Sequence, residues 1–244
     1  MSLLKITLEN NHLKEHYQQG MQRLIQVPTR FGEDSENEDF FAYLSTLGGG
    51  FVNQDNYAQS FKLVNSKATL SSQSNQKIYK GTSSLKTNIE LDNNSILVFH
   101  NDANIFYQNS NFSSKTTIFM NDNSRLFYLD GGFLGYANSQ FKAKLSLRIF
   151  INNKLSINDI FYYNSNSSLN SLYNHNYFYT LIIKGDVEFK TIHNENLKAH
   201  SSIINNTNII RISSDDNDLA MKYINDIKSN FLHKGGMKLI LARQ

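Results

Sequence analysis

The residues of this chain that could do chemistry are its seven histidines, a scatter of aspartates and one run of three glycines. His193, Glu195 and His200 fall in one loop-like stretch. Their spacing is not that of a helical His pair such as HExxH, and imidazoles bind a metal tightly only when they share a focus. His12 and His16 would share a face on a helix, but the surrounding pattern favours a strand, which holds them apart along its length. Gly48-Gly49-Gly50 precedes a strand, yet it lacks both the Lys-Ser/Thr of a phosphate-gripping P-loop and the spacing of a dinucleotide fingerprint. Asp55, Asp130 and Asp159 could be drawn as acid/base partners. No nucleophile stands locally with a base beside it, however, and there is no G-x-S-x-G elbow. Taken alone, these residues point to no enzyme.

Composition narrows the field further. With no cysteine there is no disulfide framework, thiolate metal site or Cys nucleophile. The net charge of +3 is spread along the chain without a basic stripe, so nucleic acid is not an expected partner. No signal-peptide h-region and no long apolar run stand out, which makes the cytoplasm the expected compartment and a membrane an unexpected one. Tyr and Phe supply every aromatic, a composition suited to pleated strands. A single proline, Pro28, leaves the turns to Gly, Asn, Asp and Ser. The abundance of Asn fits that role, because Asn tolerates left-handed backbone.

These punctuation marks divide the chain into short strands. Leu3 to Leu8 and Leu24 to Val27 flank an Asn10-Asn11 turn signal, with a helix over 12–25 as the competing reading. Residues 32–39 are acidic, carry no apolar side chain and read as a solvated loop. From Phe51 to Tyr163, strand patterns alternate with turns at Asn65-Ser66, Asp92-Asn93-Asn94, Asn121-Asp122-Asn123 and Asn152-Asn153. Residues 164–176 read as a loop, Tyr177 to Lys184 as a further strand. Leu219, Tyr223, Ile224, Ile227 and Phe231 recur at helical spacing, which predicts a helix over about 216–234, capped by Asp215 or Asp216 and stopped by Gly235. Met237 to Ala242 reads as a closing strand. The expected fold is mostly β: stacked or sandwiched sheets in one domain over residues 1–244, with the C-terminal helix packed against them. No fixed-period repeat is evident, which argues against a solenoid.

One colinear series of motifs is more specific. Leu47-Gly48-Gly49-Gly50-Phe51-Val52-Asn53-Gln54-Asp55, then Ser71-Ser72-Gln73-Ser74-Asn75-Gln76-Lys77-Ile78-Tyr79, resembles the signature of the UreD/UreH urease accessory proteins. That family carries a Gly-Gly run leading to Gly-Asp, a strand, then Thr-Thr-Gln-x-x-Thr-Lys-Ile/Val-Tyr. Leu97-Val98-Phe99, Phe106 to Phe112, Leu126 to Asp130 with Gly135 after it, Phe141, and Leu155 to Tyr162 follow in the same order. The resemblance is best over residues 44–163. It departs from the family at Gln54 for Gly, Ser71-Ser72 for Thr-Thr, Asp102-Ala103-Asn104 for a Pro-rich stretch, Gly135-Tyr136 for Gly-Arg and Ser139-Gln140 for Gly-Glu.

The resemblance implies two stacked sheets with helices, and a non-catalytic scaffold working with the urease apoprotein subunits and the UreF and UreG accessory proteins. It also implies no tightly bound cofactor, with nickel as cargo in transit through an internal tunnel. Carboxylates suit such a lining, since they hold a hydrated divalent ion without trapping it. Asp55 leads among the candidates, followed by Asp130 and Asp159. Gly48, Gly49 and Gly50 would act through backbone shape, while Gln73, Lys77, Tyr79 and Gly135 would be fold-forming or at an interface. Two other classes stay open: a stand-alone β-sandwich or β-solenoid binding module, and an enzyme with a dispersed site, which one carboxylate substitution should inactivate.

Overall fold

The computed structural model describes residues 2–28, 39–92, 94–134, 136, 140–164 and 175–237. Two β-sheets face each other across the main core, and one α-helix covers the outer face of the second. The first sheet is built around strands β1 (Ser2–Glu9), β6 (Asn56–Val64), β9 (Gly81–Asp92), β12 (Ser110–Met120) and β14 (Lys142–Ile151), which pair in parallel in that order. Its edges are antiparallel ribbons, β2 (His12–Gln19) and β15 (Lys154–Tyr163). The second sheet has a parallel centre of β4 (Phe40–Thr46), β7 (Lys67–Ser72), β10 (Ile96–His100) and β13 (Arg125–Phe133). Antiparallel β3 (Gln22–Gln26) closes one side of it. On the other side lie β16 (Tyr177–Lys184), β19 (Thr207–Ser214), β18 (Leu197–Ile204) and β17 (Ile192–His193).

The parallel centre makes the winding a helix of coils rather than a sandwich of hairpins. Each coil runs from the first sheet to the second, then through a two- or three-residue strand, β5 (Gly50–Phe51), β8 (Lys77–Ile78) or β11 (Asn104–Phe106), on a third face. Phe61, Ile89, Ile118 and Ile149 stack in one row, 28, 29 and 31 residues apart. The sequence argued against a solenoid because no two of these intervals agree, so a fixed period has nothing to lock on to.

Alternation within each strand buries one face. Leu4, Ile6 and Leu8 on β1, Phe61 and Leu63 on β6, and Ile89 and Leu91 on β9 pack against Leu70, Phe99 and Leu126 of the second sheet. Residues 12–25 form β2 and β3, so the strand reading of that segment holds over the helix. Ten non-glycine residues among those described have positive φ, and nine are Asn. Asn10-Asn11, Asn152-Asn153 and Asn205-Asn206 each supply two consecutive left-handed residues, the requirement of a tight hairpin turn. Strands β18 and β19 were not expected, because Leu197–Ile204 lacks clean alternation: Ser201 to Ile204 are all exposed.

Helix α1 (Asn217–Lys234) starts where Asp216 accepts from the backbone N–H groups of Asp218 and Leu219. It buries Ala220, Ile224, Ile227, Phe231 and Leu232 against β10, β13, β16 and β19. Gly235 closes it as expected, but the left-handed residue is the next one, Gly236. Asp215 instead accepts from the backbone and side-chain N–H groups of Asn176. No helix among the described residues is long and apolar enough to cross a membrane. The acidic run, except Asp39, most of the 164–176 loop, Gly135, and the closing strand beyond Met237 lie outside the described residues.

Candidate functional site

Between the two sheets a polar layer separates two apolar regions. One is the main core around Phe61, Phe99 and Leu126; the other is an aromatic cluster of Phe51, Phe106, Phe112, Phe141 and Phe178. On the first sheet the layer is a row across strands, Leu4–Gln59–Thr87–Thr116–Leu147–Asp159, set by register. On the second sheet Asp130, Thr180, Arg211 and His200 stand opposite one another on β13, β16, β19 and β18. Directly opposed residues project from the same face. These positions sit at inward turns of the alternation, where Tyr57–Gln59–Phe61 or Leu85–Thr87–Ile89 interrupts an apolar series with a buried polar residue. That interruption is the sequence signal that could have found them.

Two cavities open in this layer. The larger, ≈ 40 Å³, is lined by Gln59, Thr87, Thr116, Ser72, Asn104 and Asp130, among others. A second of ≈ 20 Å³ is lined by Tyr128, Asp130, Asp159 and Thr180, with apolar neighbours. At about 10–15 Å³ per water, the first has room for roughly three. Gln22 Oε1 and Gln76 Oε1 are buried with no protein partner among the described residues, and both residues line the larger cavity. Polar groups in that situation belong to a hydrated space.

Asp130 stands at the junction, lining both cavities. Its Oδ1 accepts from Gly131 N at 2.9 Å and Asn104 Nδ2 at 3.1 Å, and its Oδ2 from the Tyr128 hydroxyl at 3.2 Å. Loss of solvation outweighs these three donors and pushes its carboxyl up to about 6. Tyr128 is pushed well above the ordinary phenol range, by burial first and the Asp130 charge second, and so stays a neutral donor. A buried carboxylate this close to neutrality exchanges a proton for a cation readily, because a neighbouring positive charge restores its ionised form.

Asp159 sits on edge strand β15 and faces the smaller cavity. Arg211 Nη1 donates to its Oδ2 at 3.0 Å while Nη2 donates to Oδ1, a two-pronged pair that also involves Thr180 Oγ1. Asp55 is elsewhere. Its Oδ2 accepts from Val52 N at 2.9 Å and the Tyr57 hydroxyl at 3.0 Å, which makes it a turn-forming carboxylate, and neither cavity includes it. Burial, then the Asp55 hydrogen bond, raise the Tyr57 phenol. The structure therefore brings Asp130 and Asp159 together and leaves Asp55 apart.

The motif glycines have distinct geometries. Gly48 and Gly49 take φ of +84° and +75°, and a Cβ on Gly50 would lie 2.1 Å from the Lys77 carbonyl oxygen, where β5 and β8 run side by side. Gln54, standing where the family has Gly, adopts φ +70°. Gln73 and Lys77 are exposed. Tyr79 N donates to Phe51 O, and its ring stacks on Tyr107 at 5.1 Å. Gly135 is outside the described residues. Tyr128, Asn104 and Arg211 are site residues that the sequence reading did not single out. Among the described residues no group of three or more His, Asp or Glu converges as a metal site.

No curated protein sequence matches this chain. The family model described as UreD urease accessory protein matches residues 5–234, nearly the whole length. The motif series, the stacked sheets with a C-terminal helix and this match agree, and the chain belongs to the UreD urease accessory protein family.

Proposed function

We propose that this chain is a non-catalytic scaffold of urease maturation, which binds the urease apoprotein subunits with the UreF and UreG accessory proteins while nickel is inserted. On this reading nickel is cargo, the chain has no tightly bound cofactor, and the work is done in the cytoplasm. The observation that carries the proposal is the polar layer between the sheets, with Asp130 at the junction of its two cavities. A divalent ion that has shed part of its water would meet carboxylate, hydroxyl and amide oxygens there, ligands that hold nickel weakly enough to release it. Asp159 would contribute only when Arg211 yields its carboxylate. Asp55, Gly48, Gly49 and Gly50 would shape the third face, and exposed Gln73 and Lys77 would be available to a partner.

The test is Asp130→Ala in cells expressing urease and the full accessory set, reading urease nickel content and co-purification of the complex. The expected result is an intact complex with less nickel in urease. A wild-type nickel content would remove Asp130 from the route.

A further inference from the structure

The row that contains Asp130 does not end inside the protein. Thr180 lies opposite Asp130, Arg211 opposite Thr180, and His200 opposite Arg211, so one face of the second sheet carries polar side chains from the cavity junction outward. Arg211 is tied to Asp159 on β15, the edge strand of the first sheet, and His200 is exposed. His193 is paired with Lys198 in the β17–β18 ladder, and Lys198 is two residues from His200, so all three share that face.

His193 Nδ1 lies 3.4 Å from His200 Nε2. Two imidazole nitrogens bound at about 2.1 Å to one ion stand about 3.0 Å apart at the right angle of a square-planar or octahedral ion and about 3.4 Å apart at a tetrahedral angle, so the pair closes on an ion with a shift of about 0.4 Å or less. The hairpin that sets this spacing is pinned. Asn194 Oδ1 accepts from Asn196 N at 3.1 Å and Leu197 N at 2.8 Å, closing the turn. Buried His175 ties the turn tip down, with Nε2 at 2.8 Å from the Glu195 carbonyl and Nδ1 at 3.0 Å from Ser213 Oγ. Little reorganisation is then needed to receive an ion. Lys198 adds a positive charge on the same face, which weakens the site and favours exchange over retention.

We propose that His193 and His200 form a two-imidazole surface site, completed by water, for a borderline first-row divalent cation such as Ni²⁺. Its further assignment as the port to the polar row rests on the transit reading given under Proposed function. Imidazole is the ligand that suits these ions, while the oxygen-lined interior suits onward passage.

The experiment is calorimetric titration of the tag-free full-length protein with NiCl₂, alongside His193→Gln, His200→Gln, His16→Gln and Asp130→Asn. Each change is checked by its circular dichroism melt. One ion should bind at the surface site in wild type, with affinity falling about tenfold or more in either His193→Gln or His200→Gln and unchanged in His16→Gln. Unchanged titrations in both His193→Gln and His200→Gln, or no binding by wild type, overturn the site whatever Asp130 does. If both histidine variants lose binding while Asp130→Asn still fills urease with nickel in cells, the surface site stands and the transit reading fails.

Discussion

Arg211 on β19 reaches across from one sheet to grip Asp159 on the edge strand of the other, with both guanidinium Nη atoms donating to the one carboxylate. The pair bridges the two sheets where β15 ends the first, and Arg211 stands between Thr180 and the outer His200 in the polar row. It also fixes what Asp159 can do, since a carboxylate already balanced by a guanidinium is a poor metal ligand until that cation moves away.

Arg211→Ala should therefore cost about 1–3 kcal/mol, because it leaves a mostly buried carboxylate without its cation. Arg211→Lys keeps the charge but loses the fork, and its stability should fall between those of wild type and Arg211→Ala. Urea denaturation of Arg211→Ala, Asp159→Ala and the double variant checks this. Strictly additive losses would mean that the clamp contributes nothing beyond its separate side chains.

Asp130→Asn should raise stability at pH 8, by about 3 kcal/mol at most. The sign follows from the raised carboxyl. As pH climbs from the unfolded value of about 4 through the folded value of about 6, the unfolded chain releases its proton first, so wild type loses stability across that window. The amide variant carries no such term. Its advantage should be full above pH 6 and shrink to nothing below pH 4, as read from denaturation midpoints of both proteins across that range.

Gln54→Gly should stabilise the fold by about 0.5–1 kcal/mol, since a side chain at φ +70° crowds its own backbone. Gln54 N donates to Thr82 O at 2.7 Å, which holds the conformation in place and is kept by glycine. A lower thermal midpoint in this variant would show that the Gln side chain makes compensating contacts.

Gly50→Ala should be far more damaging, at roughly 2 kcal/mol or more, because backbone rather than a flexible side chain blocks the new methyl group. Loss of soluble yield together with a lowered denaturation midpoint is the expected readout. Gly49→Ala, with nothing within 4 Å of the added carbon, bears only the strain of its positive φ and should lose less.

The punctuation of this chain was legible because it depends on single residues. Asn10-Asn11, Asn65 and Asn152-Asn153 take left-handed backbone at the turns where the sequence signals them, and Asp216 caps a helix whose apolar face shows at i, i+3 and i+4. The strand segments from Phe51 to Tyr163 were legible too, since β6, β9 and β12 alternate buried and exposed residues between those turns. The ordered motifs from Leu47 to Tyr162 were enough to suggest the family.

Neighbourhood was decided only by the tertiary structure. Period-two alternation fixes a residue's face but says nothing of which strand lies beside it, and parallel neighbours here are about thirty residues apart at unequal intervals. Asp55, Asp130 and Asp159 look alike along the chain. Coil stacking sets Asp130 between two cavities, a sheet edge hands Asp159 to Arg211, and a turn claims Asp55. His193 and His200 likewise meet only because a pinned hairpin folds one strand back on the other, a pairing that backbone hydrogen bonds and the buried His175 determine and side-chain spacing cannot.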